Sequence, residues 1–298
     1  MVYTAKAYAK TNLFLDVVSK RDDGYHDINS VMQSLSLCDI VTVELTDSDI
    51  SVKCDKAELD GSDNIAYNAC KSFLEFADLS CGVRVNIQKN IPVAAGLGGG
   101  SADAAAVLVL LNIATEKNYP ISDLIPIAAS LGADVPFFLI GGTVKANGIG
   151  EILTKLPDTR LNFVLIKEYC KQSTGTMYQH LDSFSDRPHG DFCRFIENVS
   201  ADPLTVSTQV FNSFEACWDM NKLSKPFKAF CPLKTFLSGS GPAVCALFEN
   251  SFEADACAKA FNDKGIKAFS VFSVPVGIEV VLLWDFLSKL NSTLDKGV

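Results

Sequence analysis

The chain is 298 residues long, 48% of its residues are hydrophobic, and its formal net charge is −9. That length and apolar fraction are enough for one large or two ordinary domains with a sizeable core. The acidic balance argues against a general binder of nucleic acid, because such binding depends on clustered lysine and arginine. Any anionic ligand must therefore be held by local features.

Cysteine, histidine and apolar patterns exclude further classes of protein. The ten cysteines form no CxxC pair and only three histidines accompany them, so no protein-held metal site is predicted. Cysteines in apolar contexts, such as Cys245 in AVCALF, behave as small hydrophobic residues, which indicates a reducing compartment. No run approaches the roughly 18 apolar residues of a membrane span, and no apolar signal core begins the chain. We expect a soluble, cytoplasmic protein.

The first half of the chain predicts five strands and three helices. Alternating or apolar runs between turn residues predict strands near 5–8, 12–18, 41–45, 50–54 and 83–87. Apolar residues three or four apart predict helices over 64–77, 102–117 and 122–131, with Asp63 and Ser122 as N-caps. The segment IPVAAGL, residues 91–97, predicts an apolar strand and a turn.

The pattern changes at LPDTR, residues 156–160, which predicts a turn between two units. We expect an amino-terminal domain over 1–156 and a smaller α+β domain over 157–298. The second unit predicts strands at 161–166, 243–248, 267–272 and 278–284, and helices around 206–223 and over 252–264. The polar segment 180–204 predicts irregular structure with short helices.

A glycine-rich run at residues 96–103, GLGGGSAD, leads directly into an apolar helical stretch. Glycines allow successive backbone N–H groups to face an anion, and the start of a helix adds unpaired N–H groups at the same place. Ser101 could cap this helix or reach a phosphate or its metal. The simpler alternative is a tight turn before a buried helix. The run matches neither GxxxxGK[ST] nor GxGxxG.

Two charged residues, Lys10 and Asp134, stand in apolar surroundings. Lys10 lies between two predicted strands, and Asp134 precedes Val-Pro-Phe-Phe. An isolated charge is costly in such a place, so each should need a partner. The alternative is a surface lysine and an aspartate beside a helix, and spacing alone does not exclude it.

Four segments in order resemble the GHMP small-molecule kinase superfamily. They are AKTNLFLDVVSKRDDGYH at 9–26, the glycine run, GADVPFF at 132–138 and LSGSGPAVCAL at 237–247. The opening with DGYH is the discriminating part, because other members share the glycine motif without it. Tyr8 stands where the family usually has proline, and residues 180–235 align with nothing residue by residue.

The resemblance implies a two-domain α+β GHMP kinase fold. Its amino-terminal domain would be ribosomal-protein-S5-like and its carboxy-terminal domain ferredoxin-like, with the active site in the cleft between them. It implies ATP as co-substrate, Mg²⁺, and phosphorylation of the 2-hydroxyl of a cytidine diphosphate methylerythritol in the non-mevalonate isoprenoid pathway. We expect a monomer or weak homodimer that acts on a small-molecule substrate and binds neither nucleic acid nor membrane.

The same resemblance implies roles for individual residues. Asp134 would accept the proton of the substrate hydroxyl, and Lys10 would keep that carboxylate ionised and offset phosphoryl charge. Tyr25 and Tyr178 would stack on the cytosine, His26 would hydrogen-bond it, Thr174 lies in the same family segment as Tyr178, and Asn12 would lie near the transferring hydroxyl. The ATP residues would be Gly96, Leu97, Gly98, Gly99, Gly100, Ser101 and Ala102, with Asn64 and Lys89 on the adenosine side, although solvated surface roles fit these two equally.

Two rival functions are left open by the sequence. Another GHMP kinase with a different alcohol substrate would keep Asp134 and the glycine run but would not need the aromatic residues. A nucleotide-binding protein without catalysis would have no need of a base facing a phosphate loop. The loop Ser238–Gly241 is a second candidate anion nest, and a plain hairpin turn is its alternative.

Overall fold

A computed structural model describes residues 1–167 and 173–281. The strands within these ranges are β1 (Val2–Lys20), β2 (His26–Thr46), β3 (Ile50–Cys54), β4 (Gly82–Gln88), β5 (Thr143–Asn147), β6 (Ile152–Lys155), β7 (Asn162–Ile166), β8 (Phe211–Asn212), β9 (Lys234–Leu237), β10 (Val244–Phe248), β11 (Ala268–Phe272) and β12 (Ile278–Val281). The α-helices are α1 (Ile65–Phe76), α2 (Gly99–Ala114), α3 (Ile121–Leu131), α4 (Val135–Ile140), α5 (Thr174–Asp182), α6 (Phe192–Glu197), α7 (Pro203–Ser207), α8 (Met220–Ser224) and α9 (Ser251–Asn262). Cys170 and residues 282–284 of a predicted strand lie outside the described ranges.

A hairpin of two long strands, β1 and β2, forms the centre of the first sheet. The strand order is β12–β1–β2–β4–β3, with β5 beside β2, β6 beside β5 and β8 beside β1. The strands predicted at 5–8 and 12–18 are one continuous strand whose register shifts at Tyr8/Ala9 and Asn12/Phe14. The sequence suggested a break at the polar residues 10–12, but both faces of β1 are buried there, so alternation is lost.

Four helices cover one face of this sheet and bury its apolar side chains. Met32 and Val41 of β2 share a core with Phe73 of α1, Leu108 of α2 and Phe137 of α4. The predicted helices 64–77, 102–117 and 122–131 are confirmed as α1, α2 and α3. Because α2 is buried on most of its surface, it gives the loop before it a rigid support.

The starts of these helices differ from the predicted ones. Asn64, not Asp63, caps α1 by accepting a hydrogen bond from the backbone N–H of Ala66. The helix α3 begins directly after Pro120, so Ser122 lies inside its first turn. In α2 the N-cap is a glycine in the left-handed region, which means that Ser101 does not cap the helix. Residues 91–97 form turns, and the predicted apolar strand there is wrong.

A second, antiparallel sheet with strand order β11–β7–β10–β9 packs against the opposite face of the β1–β2 hairpin. Phe14 and Leu35 of the hairpin share a core with Phe163, Phe236 and Leu247 of this sheet. The helix α9 covers the outer face through Ala254, Cys257 and Phe261. The predicted strands 161–166, 243–248 and 267–272 and the helix 252–264 are confirmed as β7, β10, β11 and α9.

The single amphipathic helix predicted around 206–223 is wrong. This stretch contains the end of α7, the short strand β8, a 3-10 turn over Ser213–Cys217 and α8. Phe211 and Asn212 pair with Phe14 and Leu15 of β1, and the Asn212 amide donates to two backbone carbonyls near the end of β9. These tertiary contacts override the local helical periodicity. The helix α5 has no counterpart among the predicted elements.

The change from one sheet to the other falls between β6 and β7, around the predicted boundary at residue 156. The carboxy-terminal half nevertheless contributes β8 and β12 to the first sheet, both beside β1. The division into 1–156 and 157–298 stays a prediction. Across the part of the chain that the structure describes, no helix combines the length and apolar character of a membrane span.

Candidate active site

A cavity of about 1100 Å³ opens where the two sheets meet. It is lined by residues of β1, the glycine run, the start of α4, α5 and the 238–241 loop. Every residue singled out from the sequence for catalysis or substrate binding lies on its wall: Lys10, Asn12, Tyr25, His26, Asp134, Thr174 and Tyr178. Asn64, Lys89 and six of the seven residues proposed for ATP, from Gly96 to Ser101, line it too, whereas Ala102 is fully buried beneath them.

The glycine run forms a compact loop at the amino terminus of α2. Gly96 and Gly98 have φ of 80° and 73°, a region that side chains other than glycine rarely adopt. A Cβ at Gly98 would lie 2.6 Å from the ring of Phe138 and 3.0 Å from the Lys10 side chain. No side chain caps α2, so the N–H groups of its first turn face the cavity with the positive end of the helix dipole. The loop can therefore hold an anion.

The 238–241 loop closes over the glycine loop from the other sheet. Ser238 Oγ donates to the carbonyl of Gly96 at 2.9 Å, and the N–H of Ala243 donates to the carbonyl of Ala95 at 3.0 Å. A Cβ at Gly239 would lie 3.5 Å from Lys10 Nζ. The structure therefore brings both glycine-rich segments to the same wall of the cavity, beside the Lys10 ammonium.

Lys10 and Asp134 form an ion pair, with 3.5 Å between Lys10 Nζ and Asp134 Oδ2. Lys10 is buried in β1, and its backbone N–H donates to the carbonyl of Leu97 in the glycine loop. Asp134 sits at the N-cap position of α4 without a capping hydrogen bond, and its side chain is 42% exposed. The carboxylate thus keeps oxygen lone pairs toward the cavity. The burial of Lys10 argues against a surface lysine, whereas Asp134 does lie beside a helix, and the catalytic role of the pair stays a prediction.

A chain of hydrogen bonds continues from Lys10 into the sheet. Lys10 Nζ donates to Asn12 Oδ1 at 2.8 Å, and Asn12 Nδ2 donates to Ser30 Oγ at 2.9 Å. Ser30 Oγ in turn donates to the carbonyl of Phe14 at 2.8 Å. Sequence reasoning missed Ser30, because it joins this chain only through the pairing of β2 with β1, and no local pattern marks it.

The far end of the cavity carries aromatic side chains. The rings of His26 and Tyr178 stack with centroids 4.5 Å apart, and the edge of Phe214 packs on Tyr178 at 4.9 Å. Burial and the nearby Asp134 charge raise the pKa of Tyr178 to about 12, so its hydroxyl stays protonated. Tyr25 is 60% exposed at the mouth of the cavity. The side chain of Tyr25 is thus available for a ligand, whereas His26 already stacks on Tyr178.

Asp182, at the end of α5, holds the imidazole of His26. Its carboxylate is 2.8 Å from His26 Nε2 and 2.8 Å from Lys20 Nζ. Partial burial would raise the pKa of Asp182, but hydrogen bonds from Lys20 and His26 outweigh it and lower that pKa. An ionised carboxylate only accepts hydrogen bonds, so His26 Nε2 is the donor in this contact. Sequence reasoning missed Asp182, which lies four positions after Tyr178 on the helix α5, because the sequence did not predict that helix.

The two residues proposed for the adenosine side are less solvated than expected. The Lys89 side chain is 5% exposed and pairs with the buried carboxylates of Asp39 and Asp103, the latter at 2.6 Å. Burial raises the pKa of Asp103, although the positive charge of Lys89 acts to lower it. The solvated surface role considered for Lys89 is therefore wrong. Asn64 uses its amide to cap α1 and to donate to the carbonyl of Leu59 at 2.8 Å.

Comparison with known proteins gives matches over most of the chain. The family model of the GHMP kinases N terminal domain matches residues 64–142. Proteins named 4-diphosphocytidyl-2-C-methyl-D-erythritol kinase are 37% identical in Clostridium botulinum and 38% identical in Lachnoclostridium phytofermentans. These matches cover 89% and 97% of this chain, and 97% and 99% of the relatives. A crystal structure of 4-(cytidine 5'-diphospho)-2C-methyl-D-erythritol kinase superposes with a TM-score of 0.77 at 30% identity, covering 91% of this chain and 98% of that one.

Proposed function

Because the chain belongs to the 4-diphosphocytidyl-2-C-methyl-D-erythritol kinases of the GHMP kinase family, we propose that it phosphorylates the 2-hydroxyl of that substrate with ATP. The protein is a small-molecule kinase with an alcohol acceptor, and the predicted family and α+β GHMP kinase fold are confirmed. The reaction belongs to the non-mevalonate isoprenoid pathway. The observation that supports the proposal most directly is the Lys10–Asp134 pair, 3.5 Å apart, beside the glycine loop.

The proposed chemistry depends on the unequal burial of this pair. Asp134 is accessible from the cavity and would accept the proton of the attacking hydroxyl, while the ammonium of buried Lys10 pairs with the same carboxylate. Lys10 also offsets negative charge that builds up on the transferring phosphoryl group. A binding protein without catalysis would have no use for an accessible base held by a buried cation at this place.

ATP would bind with its phosphates on the glycine loop and the first turn of α2. Backbone N–H groups there can donate hydrogen bonds to the phosphates, so ATP can bind locally although the protein as a whole is negatively charged. Among the described residues, no group of three or more His, Cys, Asp or Glu side chains could hold a metal ion. Mg²⁺ would bind together with ATP and offset the negative charge of its phosphates, and the hydroxyl of Ser101 on the cavity wall is a suitable donor for it.

The cytidine end of the substrate would occupy the aromatic end of the cavity. Tyr25, exposed at the mouth of the cavity, and Tyr178 would stack on the cytosine, and His26, held by Asp182, would hydrogen-bond the base. Asn12 would lie near the transferring hydroxyl, and Thr174 would contact the substrate at the start of α5. Asn64 and Lys89 stay proposals for the adenosine side.

Release of ADP, measured with a panel of alcohols, tests the proposal. Turnover is expected with 4-diphosphocytidyl-2-C-methyl-D-erythritol, markedly less with its uridine analogue, and none with mevalonate or homoserine, because uracil has a carbonyl where cytosine has an amine. Turnover of mevalonate or homoserine alone would assign another GHMP kinase activity, and ATP binding without turnover of any alcohol would assign a binding protein. We also propose a cytoplasmic enzyme that acts without nucleic acid or membrane as a monomer or weak homodimer.

A further inference from the structure

A chain of three buried polar side chains runs from the interior of the first sheet to the cavity and ends at the lysine of the Lys10–Asp134 pair. In order they are Ser30 on β2, and Asn12 and Lys10 on β1. Ser30 is fully buried, and Asn12 and Lys10 are nearly so. Buried polar groups in such a chain have no ready substitute partner from solvent, so each depends on its neighbours.

The two ends of this chain fix the direction of every hydrogen bond in it. The carbonyl of Phe14 can only accept, so Ser30 Oγ must use its single hydrogen there. Ser30 then has only lone pairs left for Asn12, which must present its NH₂ group. The Lys10 ammonium can only donate, and it meets the carbonyl oxygen of the same amide. One orientation of Asn12 satisfies both contacts.

The opposite orientation of the Asn12 amide would place an NH₂ group against the Lys10 ammonium. That contact would be repulsive, and the ammonium would lose its buried acceptor. The shapes of the two ends of the amide are almost the same, so packing alone does not choose between them. The Ser30 hydroxyl, itself directed by Phe14, favours the same orientation of the Asn12 amide as the Lys10 ammonium does.

We propose that Ser30 is a positioning residue for phosphoryl transfer, which it supports by orienting Asn12 so that the amide oxygen holds Lys10 toward Asp134. This inference rests on the proposed function of the Lys10–Asp134 pair. Ser30 touches neither substrate nor phosphate. Its contribution should affect the chemical step and leave the binding of ATP unchanged, because the glycine loop does not contact it.

The test compares Ser30→Ala with Ser34→Ala. Ser34 is a stringent control because it is a fully buried serine on the same strand and lies opposite Lys10 in the hairpin, while its hydroxyl accepts a hydrogen bond from the N–H of Gly142 and not from Asn12. Ser30→Ala should lower kcat on the order of tenfold with the KM for ATP within about twofold of wild type. Ser34→Ala should lose thermal stability to a similar degree but keep its kcat.

A double-mutant cycle with Asn12→Ala separates positioning from a general structural effect. Once the Asn12 amide is absent, Ser30→Ala should have almost no further effect on kcat, since Ser30 acts only through that amide. An equal loss in both backgrounds would overturn the proposal, and so would a wild-type kcat in Ser30→Ala. Lys10→Ala measured in the same series tests the proposed function itself: if it retains full activity, that function fails independently of Ser30.

Neutron diffraction on the wild-type protein gives a measurement that needs no variant to fold. The expected density places the Ser30 hydroxyl deuterium toward the Phe14 carbonyl and the two amide deuteriums of Asn12 on the Ser30 side. Deuterium of the Asn12 amide on the Lys10 side would overturn the proposal.

Discussion

Asp134 and Lys10 differ in burial, and that difference separates their roles. The accessible carboxylate can meet a substrate hydroxyl, whereas the buried ammonium can act only through the groups beside it. Asp134→Asn keeps the shape of the side chain but removes its basicity. It should lower kcat by about 10²-fold or more, the usual size of a general-base contribution, with ATP affinity and melting temperature near wild type. Near wild-type turnover in a coupled ADP-release assay would contradict the assignment.

The two tyrosines of the aromatic end should respond differently to truncation. Tyr25 is exposed, so Tyr25→Ala should raise the KM for the cytidine substrate, by about fivefold to 100-fold for one lost stacking contact, without loss of stability. Tyr178 packs on His26 and Phe214, so Tyr178→Ala should raise the same KM and also destabilise the fold by about 3 kcal/mol. Steady-state kinetics and urea unfolding of both variants measure this contrast. Equal stability losses would mean that Tyr25 is also a packing residue.

At the level of single residues, the sequence identifies groups inside motifs and misses groups that support them. Lys10, Asp134 and His26 stand in recognisable segments, and the structure brings all three to one cavity. Ser30 and Asp182 do not, because their roles come from strand pairing and from a helix that no periodicity predicted. The sequence does not distinguish a solvated Lys89 from a Lys89 in the ATP site, since neither Asp39 nor Asp103 is its neighbour in sequence.

Residues 96–114 form one loop-and-helix element, in which Gly98 and Gly100 differ in how much space surrounds them. Gly98 is needed for the fold, because a Cβ would strike Phe138 and φ is positive. Gly100 is not, since the nearest atom to its Cβ position would be 3.7 Å away and the residue lies inside the helix. Gly100 therefore separates a phosphate-binding role from a structural one better than Gly98 does.

Gly100→Ala should weaken ATP while leaving the protein at least as stable as wild type. The new methyl group projects beside the first turn of α2, where it obstructs phosphate approach, while alanine favours helix over glycine by up to about 1 kcal/mol. Gly98→Ala is the matched comparison, and its main effect should be a lower melting temperature. Isothermal titration with ATP and thermal unfolding measure both effects. Unchanged ATP affinity in a folded Gly100→Ala protein would remove the first turn of α2 from the site.

The elements themselves show which signals are reliable in this sequence. Amphipathic helices with clear periodicity, such as α1 and α3, agree with the prediction to within a few residues. The helix predicted around 206–223 failed because Phe211 and Asn212 are drawn onto β1 by pairing and by hydrogen bonds to the 237–239 backbone. The polar residues of β1 suggested a break, although they lie within one continuous strand, in the stretch proposed for catalysis.

For the whole molecule, the sequence suggests two units and the structure joins them through one strand. β1 receives β8 and β12 from the carboxy-terminal half, and the 238–241 loop is hydrogen-bonded to the glycine loop. Residues 156–160, for which a turn was expected, form an irregular stretch at the point where the chain changes sheet. Strand pairs between the two halves still form across this stretch. The sequence does not reveal them, because long-range strand pairing has no local sequence signal.

Since both halves share β1, we expect the protein to unfold in a single cooperative transition. Separating them would leave the edge of β1 opposite β2 without partners and expose the core between the hairpin and the second sheet, which includes Phe14, Leu35 and Phe236. Calorimetry should give one peak with equal calorimetric and van't Hoff enthalpies, and ATP should shift that whole peak upward because it binds the folded state. Loss of activity should follow the same curve. Two peaks, of which ATP moves only one, would instead show that the halves are independently stable and that the pairing of β8 and β12 with β1 contributes little.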